Sequence, residues 1–181
     1  MPIYVDNQKA RDLYFQGKKI KEAWADDVQV FAATKRQLTG FEVYTGTISA
    51  HMWLRGILEE YGENYRTVME IPFKIDSSKA TFFNYMFSGC ASLRSVPDLD
   101  TSNGNSFVGM FSGCASLRSV PDLDTSNGRI FSEMFRTCVS LKDGNVRLIR
   151  KDGKLPLIRT NMITASGLTR EPFYDRNGRP I

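Results

Sequence analysis

Acidic side chains recur in pairs along the middle of the chain. Asp98 lies two residues before Asp100, and the pair returns 24 residues later as Asp122 and Asp124. Stacked carboxylates could bind a hard cation such as calcium, whereas aspartates at turns cap backbone N–H groups. A glycosidase needs an acid and a base with different pKa values, and duplicated pairs share one kind of environment. The spacing therefore favours turn formation or cation binding over catalysis.

A basic side chain occupies another position of the same pattern. Arg94, Arg118 and Lys142 follow one another at intervals of 24 residues. Like charges stacked in a row repel, so we expect this row to be exposed or paired with the aspartates. The row could balance charge or recognise a ligand. The candidate partner-binding residues are Arg94, Arg118, Lys142, Asp98 and Asp122.

Cysteines mark a third position. Cys90, Cys114 and Cys138 each end an apolar stripe. Their odd number argues against a closed disulfide framework, and no second ligand type recurs with them as a metal site would require. We expect three buried thiols in one row. His51 has no nucleophile partner in view, and no nucleotide-binding, hydrolase or metalloprotease motif is present. The sequence predicts no catalytic residue, no metal and no cofactor, and hence no enzyme.

These positions belong to a repeat with a period of 24 residues. Residues 86–104 recur letter for letter as residues 110–128, and a decayed third copy follows. A fixed period of roughly 20–29 residues is typical of leucine-rich-repeat solenoids. Each copy carries apolar residues spaced i, i+3, i+4, i+7, which predicts a short helix. In the second copy these residues are Phe107, Met110, Phe111 and Cys114. A short strand around Leu123 and a turn over residues 124–128 complete the predicted unit.

The repeat phrase Met-Phe-Ser-Gly-Cys-Ala-Ser-Leu-Arg-Ser-Val-Pro resembles the BspA-type leucine-rich repeat of bacterial and phage surface proteins. The match covers about residues 70–145, because Phe, Gly, Cys and Leu keep their places. The resemblance implies a parallel-stacked solenoid that serves adhesion or recognition. It implies no catalysis.

A second, ten-residue repeat fills residues 1–31 and predicts a small antiparallel meander. It resembles the short repeats in minor tail proteins of phages that infect Gram-positive bacteria. A module this small has little core of its own, and its strand edges need covering by another chain. We therefore expect it to dock onto a homo-oligomeric partner copy or a larger particle protein, with a trimer suggested by the phage resemblance alone. The predicted docking residues are Tyr4, Tyr14, Phe15, Trp24 and Phe31.

The predicted fold class is α+β, with a short β-meander module followed by a leucine-rich-repeat solenoid. Residues 1–36 form the docking module, and residues 37–70 form an N-terminal cap with a strand and a helix over residues 50–61, begun by Ser49. Residues 71–145 form the solenoid. Residues 146–181 form a C-terminal cap and tail, because Asp152-Gly153 between apolar runs predicts a hairpin.

Composition narrows the function. The 181-residue chain has a formal charge of +4, which is too weak to indicate a nucleic-acid partner, and no apolar run long enough to span a membrane. The start of the sequence lacks the pattern of an export signal, so we expect folding in a cytoplasm. A repeat resembling that of surface proteins conflicts with this expectation unless the protein belongs to a virion, because a virion is assembled inside the cell and released later. The sequence predicts a non-enzymatic bacteriophage virion structural protein, for minor tail or host contact or for head decoration. Its partners would be other virion proteins and a host cell-surface glycan or protein. The alternative is a bacterial adhesion or protein-interaction module.

Overall fold

A computed structural model describes residues 40–181 and, before them, only the backbone of four short strands. The chain divides into two compact units, Met1–Leu38 and Thr39–Ile181.

The described strands of the first unit form two antiparallel pairs. Strand β1 (Tyr14–Phe15) pairs with β2 (Lys18–Lys19), and β3 (Glu22–Ala25) pairs with β4 (Val28–Ala32). The register of the second pair shifts between Ala23 and Trp24. Of the predicted docking residues, Tyr4 lies outside the described residues. For Tyr14, Phe15, Trp24 and Phe31 only the backbone is described, so their docking role stays a prediction.

The second unit is built on short parallel strands. Strand β5 (Phe41–Val43) pairs with β6 (Lys74–Asp76). Strand β7 (Leu123–Asp124) pairs with β8 (Leu148–Arg150), which pairs in turn with β9 (Phe173–Asp175). All three pairings are parallel, and partners β7, β8 and β9 follow one another at 25-residue intervals, as in Leu123, Leu148 and Phe173. The chain therefore passes the same edge repeatedly, and each pass builds one layer. The first to fourth layers are named by the turns that they contain, at residues 83–90, 107–114, 131–138 and 159–166.

Helix α1 (Ala50–Glu60) covers the first layer. Its buried face consists of Ala50, Leu54, Ile57 and Leu58. Ser49 precedes the helix, as the sequence indicates, but its side chain makes no capping hydrogen bond. Gly62, with φ of +77°, follows the last turn, where a left-handed residue commonly ends a helix. Tyr44, which precedes α1, links the helix to the layers: its ring centroid lies 5.1 Å from that of Trp53 on α1, and its hydroxyl donates to the Phe82 carbonyl at 2.8 Å.

The predicted leucine-rich-repeat solenoid is wrong. Among the described residues α1 is the only helix, and the three stretches with helical apolar spacing, residues 83–90, 107–114 and 131–138, are runs of turns. Residues with left-handed φ interrupt each run, as at Tyr85 (+57°), Gly109 (+56°) and Glu133 (+58°). A right-handed helix cannot continue through such residues. The strands are also too short and scattered for the continuous sheet that the prediction required.

Backbone hydrogen bonds explain why turns replace the helices. The N–H groups of Met86, Ser88 and Cys90 each donate three residues back, within their own layer. The intervening N–H groups donate to the next layer: Phe83 to Ser106, Tyr85 to Val108, Phe87 to Met110, and Gly89 to Ser112, all at 2.8–2.9 Å. The second and third layers repeat this alternation. Half of the donors that a helix would use internally thus join one layer to the next.

The layers bury a continuous core. Phenylalanine rings stack between layers with centroids 5.1–5.5 Å apart and interplanar angles of 4–13°. The apolar stripe predicted from spacing is buried in all three copies, although turns rather than helices carry it. The stacked rings form two columns: Phe83, Phe107 and Phe131 in one, and Phe87, Phe111 and Phe135 in the other.

The predicted C-terminal hairpin is also wrong. Asp152-Gly153 does form a tight turn, in which the Gly153 N–H donates to the Arg150 carbonyl at 3.1 Å. The strand before it, β8, pairs in parallel with β7 and β9 and not with the segment after the turn. The segment after the turn instead leads into the fourth layer, and its Ile158 forms an isolated parallel bridge with Ile130. The layered arrangement therefore overrides the local hairpin preference.

Candidate functional site

The layered unit brings two of the three predicted basic residues together. The side chains of Arg94 and Arg118 are exposed, and the Arg118 N–H donates to the Arg94 carbonyl at 2.9 Å. Neither guanidinium forms an ion pair with a described residue. The two cations therefore sit side by side on adjacent layers and face solvent.

Lys142 does not continue this row. The Arg118 carbonyl accepts instead from the side-chain amide of Asn145 at 3.1 Å, and the Val120 N–H donates to the Asn145 carbonyl at 3.0 Å. Lys142 lies in a separate turn, closed by the Asn145 N–H on the Lys142 carbonyl. The strand positions on either side of Lys142, Leu123 and Leu148, pair at an interval of 25 residues and not 24, so residue 142 falls out of step with Arg118. A fixed 24-residue period could not reveal this slip.

Asp98 and Asp122 are exposed on the same unit but do not pair with the two arginines. Asp122 forms an ion pair with Arg147 at 3.2 Å, and both side chains are well exposed. Asp98 forms no ion pair with a described residue. Of the two arrangements expected for the basic row, exposed or paired with the aspartates, Arg94 and Arg118 adopt the exposed one among the described residues. The charges form a mixed, solvated surface.

The second aspartate of each pair, Asp100 or Asp124, caps a turn, and so does Asp76 one period before Asp100. Each of the three accepts the N–H of the serine two residues later at 3.0 Å. Asp124 also binds the Lys151 ammonium at 2.6 Å. Burial alone would raise the pKa of Asp124, but the hydrogen bonds from Lys151 and Ser126 outweigh it and lower the pKa. These carboxylates serve the turns, which is one of the two roles that the sequence left open.

The aspartates do not gather into a cation site. Within residues 40–181 and the described strands before them, no three His, Cys, Asp or Glu side chains lie close enough together to hold a metal ion. The carboxylate of each Asp100-type residue is directed to its own turn, so neighbouring layers do not share a cation between them.

Sequence reasoning missed an asparagine ladder beside these turns. The amide of Asn103 donates to the Ser78 carbonyl at 2.8 Å, and that of Asn127 donates to the Ser102 carbonyl at 2.7 Å. Both asparagines are exposed, and each precedes a glycine. The Asn-Gly pairs were readable as turns, but the bond from one layer to the previous one needs the stack. The ladder fixes the turn surface rigidly.

The three cysteines form one buried row, as predicted. The Cys114 thiol donates to the Phe87 carbonyl at 3.0 Å, and the Cys138 thiol donates to the Phe111 carbonyl at 2.9 Å. Burial raises the pKa of Cys90 and of Cys138 to about 12 and raises that of Cys114 well above its ordinary value. Thiols that stay protonated are poor nucleophiles and poor metal ligands. Their role is packing.

A cationic and aromatic cluster beside α1 was not predicted. The Arg55 guanidinium lies 3.6 Å from the centre of the Tyr65 ring, and the Arg66 Nε donates to the Tyr65 hydroxyl at 2.7 Å. His51 contacts the Tyr85 carbonyl through Nδ1 at 3.0 Å. Burial lowers the pKa of His51, and the nearby charge of Arg55 lowers it further. No sequence signal links these residues, because α1 and residues 65–66 meet only in the folded unit.

None of the protein-family models, curated proteins or solved structures compared with this chain matches it. In the part of the chain that the structure describes, no helix is both long enough and apolar enough to cross a bilayer.

The arrangement presents chemistry suited to binding. Its exposed groups include repeated cations, carboxylates and amides on layers joined by hydrogen bonds, while its three cysteine thiols are buried. Arg94 also borders a shallow depression lined by Glu63, Thr67, Val68, Met69 and Glu70. That depression places acidic groups beside the exposed arginine, which favours a partner with mixed polar character over a simple polyanion.

Proposed function

We propose that this protein is a non-enzymatic structural and recognition component of a bacteriophage virion. In this proposal the first unit anchors the protein and the layered second unit displays a binding surface. The observation that carries it is the exposed pair Arg94 and Arg118, held in register by a 2.9 Å backbone bond and left without an ion-pair partner among the described residues.

The rigid surface supports a recognition role. Surface arginines on flexible loops lose side-chain and backbone freedom on binding, whereas a hydrogen-bonded layer has already lost its backbone freedom. The asparagine ladder and the turn-capping aspartates fix the neighbouring backbone in the same way. A partner would thus meet a pre-organised row of charges and amides. In this proposal such a surface would serve minor tail contact with a host-surface glycan or protein, or head decoration.

The virion setting draws its support from the sequence. The ten-residue repeat of residues 1–31 resembles phage minor tail proteins, and residues 86–128 carry a BspA-type phrase. The helical solenoid that this phrase implied is absent, so only its association with surface proteins enters the proposal. The antiparallel strand pairs of the first unit are short, which favours anchoring on a partner over independent stability.

Particles released from the source organism test the setting. Mass spectrometry of gradient-purified particles should find this chain in a fixed ratio to the major capsid protein. Immunogold labelling should then place it at the tail tip or on the head. Recovery of the chain only from the cell surface, with none in the particles, would refute the virion proposal and favour the bacterial adhesion or interaction module.

A variant pair tests the recognition surface. Particles that carry R94E with R118E should adsorb to host cells at least tenfold more slowly, because both exposed cations are reversed. R129E is the matched control, since Arg129 is also exposed on a layer but is not part of that pair. Equal adsorption by the double variant and the wild type, with normal incorporation of the chain, would rule out this surface as the contact.

A further inference from the structure

The fourth layer of the second unit repeats the backbone conformation of the third. Asn161 and Ala165 have φ of +55° and +54°, as Glu133 and Thr137 have +58° and +58°. The local bonds match as well. Met162, Thr164 and Ser166 donate three residues back at 3.1–3.2 Å, as their counterparts in the third layer do. The alternating donors of the fourth layer therefore point the same way as those of the third.

Those alternating donors have no acceptor among the described residues. In the third layer, Phe131, Glu133, Phe135 and Thr137 donate to the carbonyls of Ile158, Thr160, Met162 and Thr164 at 2.8–2.9 Å. The corresponding N–H groups of the fourth layer make no hydrogen bond within the described part of the chain. We call them the open donor row. It consists of the N–H groups of Arg159, Asn161, Ile163 and Ala165.

The described part of the chain covers the neighbouring edge but not the open donor row. The outer edge of β9 is covered by the last residues, through the Asp175 N–H on the Arg179 carbonyl at 2.8 Å and the Ile181 N–H on the Phe173 carbonyl at 3.1 Å. Native proteins normally cover a strand edge that should not pair. The same end of the unit thus carries one protected edge and one available edge.

Apolar side chains lie beside the open donor row. Leu157 is 95% exposed, and Leu155 and Ile158 are 42% and 46% exposed. All three belong to the segment that enters the fourth layer, directly before Arg159. Contiguous exposed apolar side chains mark contact surfaces, whereas single exposed apolar residues are common on any protein. The combination of a donor row and an apolar rim fits an added backbone segment.

We propose that the open donor row is a docking site for a main-chain segment of a partner protein that presents carbonyl groups at alternate residues. The three layer junctions above it show what such a row binds. A second copy of this chain fits less well than a separate segment, because two donor rows cannot bond each other. A copy stacked end to end would have to offer the outward carbonyls of its first layer, where the Phe82 carbonyl already accepts the Tyr44 hydroxyl and His51 of α1 contacts the neighbouring Tyr85 carbonyl. Addition of a segment to an open backbone edge is a general recognition mode. This site does not depend on the virion setting.

Residue-resolved amide exchange on the full-length protein tests the site, with a peptide copying residues 105–113 as the probe. In the structure these residues offer the carbonyls of Ser106, Val108, Met110 and Ser112 to the first layer, and glycine already occupies both left-handed positions. Without peptide, the amides of Asn161, Ile163 and Ala165 should exchange much faster than those of Glu133, Phe135 and Thr137. Peptide should slow the first set at least tenfold and leave the second set unchanged.

Two variants separate docking from general stickiness. L157D should weaken the peptide's effect at least threefold, because it places a charge on the apolar rim. M52D is the matched control and should change nothing, since Met52 is 70% exposed on α1 at the other end of the stack. Slow exchange of the open row without peptide, no protection by peptide, or equal effects of the two variants would each overturn the proposal.

Discussion

Arg150 offers the sharpest test of how the layers are held together. Its side chain is 6% exposed, and Nη1 donates to the carbonyls of Thr125 and Gly128, both at 2.7 Å. Nε donates to the Lys154 carbonyl at 3.0 Å, and Nη2 binds Asp152 at 3.1 Å. One guanidinium therefore ties the turn at residues 125–128 to the loop that follows β8.

Replacement of Arg150 by methionine keeps most of the side-chain volume and removes every donor. The Gly128 carbonyl loses the only partner that it has among the described residues, which costs about 1–3 kcal/mol. The Thr125 carbonyl keeps a bond from the Gly128 N–H at 2.9 Å, so its loss is smaller. The variant also avoids the cost of burying a guanidinium, which offsets part of the loss. Because the smaller loss at Thr125 and this offset have opposite signs, we expect a net destabilisation of about 1–3 kcal/mol.

The matched control is R147M, three residues earlier. Arg147 pairs with Asp122 at 3.2 Å, with side-chain exposures of 38% and 55%. An exposed ion pair contributes about 1 kcal/mol or less. Urea unfolding followed by far-ultraviolet circular dichroism gives both free energies from the midpoint and slope. If R150M and R147M lower the unfolding free energy equally, within about 0.5 kcal/mol, the assignment of Arg150 as a buried tie is refuted.

Three further predictions follow from the same packing. Because burial raises the pKa of Cys90 to about 12, a thiol reagent at pH 8 should label the native protein far more slowly than the urea-unfolded protein, and rapid native labelling would contradict the buried row. G104A should destabilise by about 1–3 kcal/mol, because its Cβ would lie 2.3 Å from the Phe107 ring, whereas G56A, in open space on α1, should stabilise by about 0.5–1 kcal/mol in the same urea assay. Deletion of residues 86–109, one full period, should give a folded protein with a lower urea midpoint, since layers contribute nearest-neighbour contacts; complete loss of native circular dichroism would refute independent layers.

The candidate site shows where a fixed period stops being informative. Arg94 and Arg118 are adjacent because residues 86–104 and 110–128 are identical, so their backbones match. The 24-residue period predicts Lys142 beside them, but in the structure the side-chain amide of Asn145 donates to the Arg118 carbonyl at that position. A single residue inserted in an exposed turn costs little free energy, so no local sequence pattern reveals the insertion. The cluster of Arg55, Tyr65 and Arg66 carries no repeat signal at all.

The sequence by itself determined the period, the buried positions and the burial of the thiols. Phe83, Met86, Phe87 and Cys90 are apolar at a spacing that demands one buried face, whatever backbone carries them. Only the tertiary structure decided between a helix and a run of turns. Both conformations bury the same residues. In the stack, however, the N–H groups of Phe83, Tyr85, Phe87 and Gly89 donate to carbonyls of the next layer, and a helix would not allow this. The same reason decided β8, whose apolar run suits a hairpin locally, yet pairs in parallel because β7 and β9 present edges that only the assembled layers supply.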